Sequence, residues 1–450
     1  MVLKSSEFMI SNIWTHSSLN LPSKNKSLRV LASWEINPGY MPPFKFSSNQ
    51  INVCRSQKQK INLFDYNSGG VQYWTPDGDY DLYDFICSKG IDPNFDLIVI
   101  WSSSAKSGRG FYNRPINLHK FYGKKLLILG DTHHMDEPIG SMMEYANKEQ
   151  FTHVTTMYDR HHLHYFERIQ NSPKLGWFPM ASLQHRSAGN IIAKNPAISL
   201  LGNLGSAHRY RQKIISAINS SKFDAIVGVR KNVDAFTTYQ NCLININTSL
   251  NGDFNLRTHE VIMAGGFLLT DALSAESGFQ QIFQVGTHCD IYSSPFELLE
   301  KIEHYLSRPK LTSQIAVEGL NHYLRHLHPK ITIQKIVDWI FQDRLELPHD
   351  VSRDWRHQLE KGALKNLPLV DRIVLYERVQ ELGRLKSPAH IFIGNSLNEL
   401  HLVDLIDLVR VKIYIDPADL VKVNLIKDLG LQNRIIYAKK DDQRWDLVFS

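Results

Sequence analysis

The chain has 450 residues, 43% hydrophobic and 21% charged, with a formal net charge of +6. That length predicts two or three domains with ordinary cores. The mild, scattered basic excess suits a phosphate-bearing ligand, excludes a nucleic-acid stripe and leaves peripheral membrane contact open. Four widely spaced cysteines, Cys54, Cys87, Cys242 and Cys289, form no CxxC pair. Structural zinc is not expected, and reduced thiols point to a cytoplasmic protein. The N-terminus has no continuous apolar stretch of signal-peptide length, and no window of about 18 apolar residues reads as a membrane span.

Residues 1–27, rich in Ser, Asn and Lys, read as a lead-in. LRVLASW from Leu28 reads as a strand. FDLIVIWSSS (95–104) and KKLLILGD (124–131) are apolar runs typical of strands covered on both faces, and THVTTMYD (152–159) is a weaker one. Helical or mixed segments between them predict a parallel α/β domain over 28–180. GWFPMASL (176–183) reads as an inter-domain linker.

A second alternating set covers 190–345: AISLLGN, the helix HRYRQKIISAINS, FDAIVGV, NCLININT, a short helix, then GFLLTD. SPFELLEKIEHYLSRP places Ser294 as N-cap before Pro295, and QKIVDWIFQDRLE closes the set. Residues 346–387 read as a linking helical region. From Pro388, HIFIGNS, VKIYID, RIIYA and WDLVFS alternate with two helices, the opening of a third Rossmann-like, methyltransferase-like segment over 388–450. Its first turn holds one glycine, Gly394, too few to credit it with a cofactor.

The chemistry concentrates in NLRTHEVIMAGGFLLTD (255–271). Asn255 is a plausible N-cap, so the helix begins near Leu256 with free N–H groups and a positive dipole end, a ready anion site. Arg257 in the first turn adds a forked cation suited to phosphate. Glu260, three residues on, shares its face and can accept two ribose hydroxyls one turn from a diphosphate. A capped surface helix with an Arg–Glu pair explains the same spacing, and the residues alone leave both readings open.

NLRTHEVIMAGGFLLTD resembles the signature N-x-R-x-x-E-x-x-x-x-G-x-x-L-L-x-D of the CgeB-like (spore-maturation-protein) glycosyltransferases, relatives of glycosyltransferase family 4. LININTSLNGDFNLR, FQQIFQVGTHCDIYSSPFELLEKIEHYL and SQIAVEGLNHYLRHLHPKITIQKIVDWI resemble neighbouring elements of that family, in order. The resemblance is good over roughly 195–345, weaker over 28–180, and absent over 388–450. It implies an α/β, GT-B architecture of two Rossmann-like domains facing across a cleft. It further implies a nucleotide-diphosphate sugar donor of UDP or GDP type, with no metal and no further cofactor. The acceptor, glycan, protein or small molecule, is not specified.

Carried onto this chain, Glu260 holds the ribose, while Arg257, the helix start at Asn255 and the GNLGSAHRYR segment (Gly202, Gly205, Arg209, Arg211) face the diphosphate. Lys231 is a further phosphate candidate. Many family 4 enzymes place a second Glu eight residues before the ribose Glu. Here that position is Gly252, with Asp253 beside it as a substitute. In the first domain GDTHH offers Asp131, His133 and His134 after a buried strand, on the ligand-binding side of an open sheet, as acid–base candidates; capping and loop roles compete. Glu35 is a weaker candidate. DRHHLHYFER carries His161, His162 and His164, which read as a polar helix start rather than a metal site, no third ligand being visible. His322, His326 and His328 read as packing or surface residues. Two alternatives stay open beside a glycosyltransferase: a non-catalytic GT-B relative acting as a binding scaffold, and a nucleotide-sugar epimerase.

Overall fold

The computed structural model describes residues 27–34, 44–55, 71–75, 79–102, 114–130, 132, 138–180, 195–203, 205, 209–230, 232–249, 252–362, 368–406, 408–442 and 444–449. Asp131, His133, His134, Lys231 and Glu35 lie outside these residues.

The first domain is built on β1 (Arg29–Trp34), β2 (Asn49–Arg55), β3 (Val71–Thr75), β5 (Leu97–Ser102), β7 (Lys124–Leu129), β8 (His153–Thr156) and β9 (Lys174–Trp177). They form one seven-stranded sheet of order β3-β2-β1-β5-β7-β8-β9, parallel throughout. A two-stranded pair, β4 (Tyr80–Asp81) and β6 (Pro115–Ile116), flanks it, with helices α1 (Leu82–Ser88) and α2 (Pro138–Lys148). Alternate side chains divide between two cores. Leu31, Ile98, Ile100, Leu127 and Leu129 pack on one face. Val30, Ala32, Leu97, Val99, Leu126 and Ile128 pack on the other. Covering both faces is what makes the strands read as unbroken apolar runs. The expected linker at 176–183 begins inside a strand. Gly176 and Trp177 pair with Thr155 and Thr156 because that edge of the sheet is still open to a seventh strand.

The second domain contains β10 (Asn195–Leu201), α3 (Arg209–Asn219), β11 (Ala225–Gly228), α4 (Asn232–Asn241), β12 (Cys242–Asn247) and α5 (Leu256–Met263). β13 (Leu268–Asp271), α6 (Phe279–Ile282), β14 (Asp290–Tyr292), α7 (Pro295–Leu306), α8 (Pro309–His326) and α9 (Pro329–Gln342) follow. The five strands run parallel in the order β11-β10-β12-β13-β14. Ser294 caps α7 through the Glu297 amide with Pro295 at the first helical position, as its sequence dictates. α9 crosses back: Ile333, Ile336, Val337, Trp339 and Ile340 pack on the first sheet, where Trp339 lies 5.3 Å from Phe178, ring to ring.

α10 (Trp355–Lys361) and α11 (Leu369–Leu385) lead to a third module: β15 (Ala389–Ile393), α12 (Glu399–Leu405), β16 (Val411–Ile415), α13 (Leu420–Asp428), β17 (Ile435–Tyr437) and β18 (Leu447–Phe449). Its parallel order is β17-β16-β15-β18. The module is not an appendage. α11 lies against both α2 and α3, and the apolar residues of β15 and β16 are continuous with the core of the first domain. No helix among the described residues is long and apolar enough to cross a membrane.

The ligand-binding side of an open parallel sheet is the one at its strand C-termini. Residues beyond those ends meet across the two domains. Trp177, ending β9, packs edge-on against Phe254, which follows β12. Arg160, beyond β8, reaches the Glu276 carbonyl beyond β13 at 3.5 Å.

Candidate donor site

α5 starts where its sequence says it should. The Asn255 side chain accepts from the Thr258 amide, and its own amide donates to Asn247 Oδ1 at 3.2 Å. Asn247 ends β12 and organises this corner. Its Oδ1 also accepts from Arg257 Nη1 at 3.0 Å, and its Nδ2 donates to Thr270 Oγ1 at 3.0 Å. A buried asparagine in a covered strand costs free energy unless its polar atoms are paired. Asn247 is thereby a positioning residue, and the polar beat of NCLININT was its signal in the sequence.

From that anchor Arg257 points back at the turn after β10. Its guanidinium occupies the space a Cβ would take at Gly202, and Arg211 Nη1 lies 3.4 Å from the same point. Gly202 has φ +140°, a backbone conformation suited to glycine. Arg211 is buried, donating Nη1 to the Asn203 carbonyl at 2.7 Å and Nη2 to the Thr248 carbonyl at 2.8 Å. Burial, and then the neighbouring Arg257 charge, pull its pKa down to about 10, so it stays a cation at neutral pH. Arg211 Nε is buried without a hydrogen-bond partner among the described residues. Two like charges held side by side on neutral oxygens, at a helix N-terminus, are an arrangement able to hold an anion.

Glu260 stands one turn along α5, half-buried, with Tyr239 donating its hydroxyl to Oε2 at 3.3 Å. Burial raises its pKa above the ordinary value, against the pull of Arg257 and the Tyr239 hydrogen bond. Asp253, buried in the loop before the helix, acts on Arg211 as a nearby negative charge. The structure therefore brings Gly202, Arg211, Asp253, Asn255, Arg257 and Glu260 together.

Two other expected phosphate contacts are exposed. Arg209 opens α3 with its side chain exposed, because only every third or fourth position of that helix faces the sheet and Arg211, Ile214 and Ile218 take those places. Gly205 is exposed too, and its amide donates to Asn203 Oδ1 within the turn.

In the first domain, Arg160–Arg168 is a 3-10 helix, buried from Arg160 to Phe166, rather than a polar helix start. Asp159 supplies the third potential ligand that the sequence did not display. Its carboxylate and the His161 and His162 rings have ligand atoms within 4.8 Å of one another. They are engaged as a hydrogen-bonded core. Thr132 Oγ1 lies 2.5 Å from both Asp159 Oδ2 and His162 Nδ1, and Tyr376 Oη lies 2.5 Å from His162 Nε2. His164 faces Asp404 of the third module at 3.1 Å, and Arg372 grips the same carboxylate with two bonds of 2.8 and 2.9 Å. Burial alone would raise the Asp404 carboxyl, but the hydrogen bonds from His164 and Arg372 hold it below its ordinary value. His322 stacks between His288 and His326 at 4.1 and 4.7 Å, while His328 caps α9 through the Lys330 amide.

Residues 193–338 match the family model described as glycosyl transferase-like. The matched segment holds Gly202, Arg211, Asp253, Asn255, Arg257 and Glu260. No curated protein matches the chain. Among solved structures, a glycosyltransferase from Rickettsia africae aligns with a TM-score of 0.50 at 10% identity, over 71% of this chain and 98% of that one. Anabaena Alr3699/HepE, crystallised with UDP and glucose, aligns at 0.49 and 10% identity, over 69% and 98%. Sucrose-phosphate synthase from Thermosynechococcus elongatus aligns at 0.48 and 9%, over 70% and 98%. The fold is α/β, with parallel Rossmann-like domains in the GT-B arrangement.

Proposed function

We propose that the protein transfers a sugar from a nucleoside-diphosphate donor, of UDP or GDP type, to an acceptor hydroxyl. The observation that carries this reading is the Arg211–Arg257 pair against the Gly202 turn, with Glu260 one helical turn away. The two guanidiniums and the α5 N-terminus meet the diphosphate. As the glycosidic bond breaks, negative charge grows on that leaving group, and preorganised cations lower the barrier. Glu260 accepts the ribose hydroxyls, with Tyr239 fixing its rotamer. The reading calls on no metal, since charge neutralisation is assigned to side chains. Asp131, His133 and His134, which come just after β7 in the sequence, are assigned to the acceptor, one of them taking its proton.

A thermal-shift comparison tests the donor site, because a ligand of the native state raises the melting temperature. UDP or GDP is expected to stabilise the wild type and to do so far less in Glu260→Ala. Equal stabilisation of both would remove Glu260 from the site. Incubation with a nucleotide sugar and no acceptor separates the alternatives. Slow release of nucleoside diphosphate supports transfer, a changed sugar supports epimerisation, and neither supports a scaffold.

A further inference from the structure

The turn between α12 and β16 carries Val409 and Arg410 to the C-terminal edge of the second sheet, beside the segment that leads into α5. Arg410 Nη2 forms an ion pair of 2.5 Å with Asp271 Oδ2 and donates to the Ser249 carbonyl at 3.1 Å. Its guanidinium lies 3.5 Å over the Tyr210 ring, next in sequence to Arg211. Arg410 and Asp271 are both buried. Asp271 in turn accepts the Ser249 amide at 2.8 Å and its hydroxyl at 2.7 Å, and the Ser249 hydroxyl accepts the Gly252 amide at 3.1 Å. The methyls of Val409 stand 3.2 and 3.3 Å from where a Cβ would lie on Gly252, at φ +83°. Asp271 is also one of the charges acting on Arg211. One chain of contacts thus runs from the third module, through Asp271 and Ser249, to the segment that delivers Asp253, Asn255 and Arg257.

We propose that Arg410 is a positioning residue of the donor site, so that a module outside the two-domain core completes it. This rests on the donor reading above. Without the guanidinium, Asp271 is a buried carboxylate short of its counter-charge, and the Ser249 carbonyl loses a donor. The loop entering α5 then loosens, and Arg211 and Arg257 lose their fixed spacing. The other side of the module is anchored independently, through Asp404, Arg372 and His164, so removing Arg410 frees the loop without detaching the module.

The test uses the full chain as wild type, Arg410→Ala and Arg410→Lys, with UDP binding by calorimetry and hydrogen exchange at the Ser249 and Gly252 amides. We expect UDP to bind about tenfold more weakly to Arg410→Ala, the loss of one charged hydrogen bond, with partial rescue by Lys. Both amides should exchange faster without ligand. If Arg410→Ala does not fold, Asp271→Asn keeps the shape, removes the counter-charge and should move both readouts the same way. Unchanged UDP affinity in the folded variant overturns the proposal whatever the amides do. A wild type that binds neither UDP nor GDP overturns the donor reading itself, and Arg410's role with it.

Discussion

The Arg257 guanidinium fills the position that a side chain at Gly202 would need. The turn after β10 and the first turn of α5 are therefore made for each other, and a methyl at 202 forces one of them to move. Gly202→Ala is expected to cost about 1–3 kcal/mol from its φ of +140° and the displaced arginine, and to abolish stabilisation by UDP or GDP. Urea unfolding with and without nucleotide measures both. Wild-type midpoints in each condition would mean the arginine has room elsewhere.

Arg257→Met removes the charge and keeps much of the length. Hydrogen bonds to charged groups contribute about 1.5–3 kcal/mol, so nucleotide affinity should fall roughly 10- to 100-fold. Arg257→Lys should recover only part, since an ammonium cannot reproduce the fork. Full recovery by Lys would show that the charge alone matters. Glu260→Gln should weaken binding at neutral pH. In the wild type, binding should weaken on acidification at a higher pH than an ordinary carboxylate would give, because the Glu260 pKa is raised.

Three buried imidazoles make the fold acid-sensitive. His349 donates Nδ1–H to the Trp177 carbonyl and faces Lys335 with Nε2, an arrangement that needs a neutral ring. Burial and nearby positive charge pull His349 and His153 down to about 4, and burial alone takes His259 to about 3. Below pH 6.5 the unfolded chain binds these protons and the folded one does not. Stability is then lost as pH falls from 6.5 toward 4, by about 1.4 kcal/mol per pH unit for each ring. Melting curves at pH 7, 6 and 5 should show a steadily falling midpoint; a flat profile would mean these rings accept protons in the fold.

Tyr376→Phe tests the network in the first domain. Losing the hydroxyl 2.5 Å from His162 Nε2 should destabilise the protein by about 1–3 kcal/mol. Because Thr132 and Tyr376 already engage both His162 nitrogens, zinc should give the wild type no thermal stabilisation. A zinc-dependent rise that His162→Ala removes would make the cluster a metal site instead.

Much of the geometry of the candidate site was legible in the sequence. An N-cap asparagine, an arginine and a glutamate at helical spacing, and the glycine turn after β10 are local signals, and the structure assembles them as spaced. The second domain's strands were legible because two-sided burial writes itself as apolar runs. What escaped was non-local. β2 and β3 are polar enough to pass for loop, with Asn49, Gln50 and Asn52 among their residues. β9 hid in a stretch broken by Pro179. Asp159 looked like the end of a strand until the 3-10 helix turned His161 and His162 toward it.

By itself the sequence determined many of the element types, the parallel sheets and the α5 motif, since period, capping and charge spacing act over a few residues. Tertiary structure alone decided which arginine of α3 is buried, that α9 crosses back to the first sheet, and that Arg410 meets Asp271, 139 residues away. Such pairings depend on the folded core bringing distant segments together, and no local pattern encodes them.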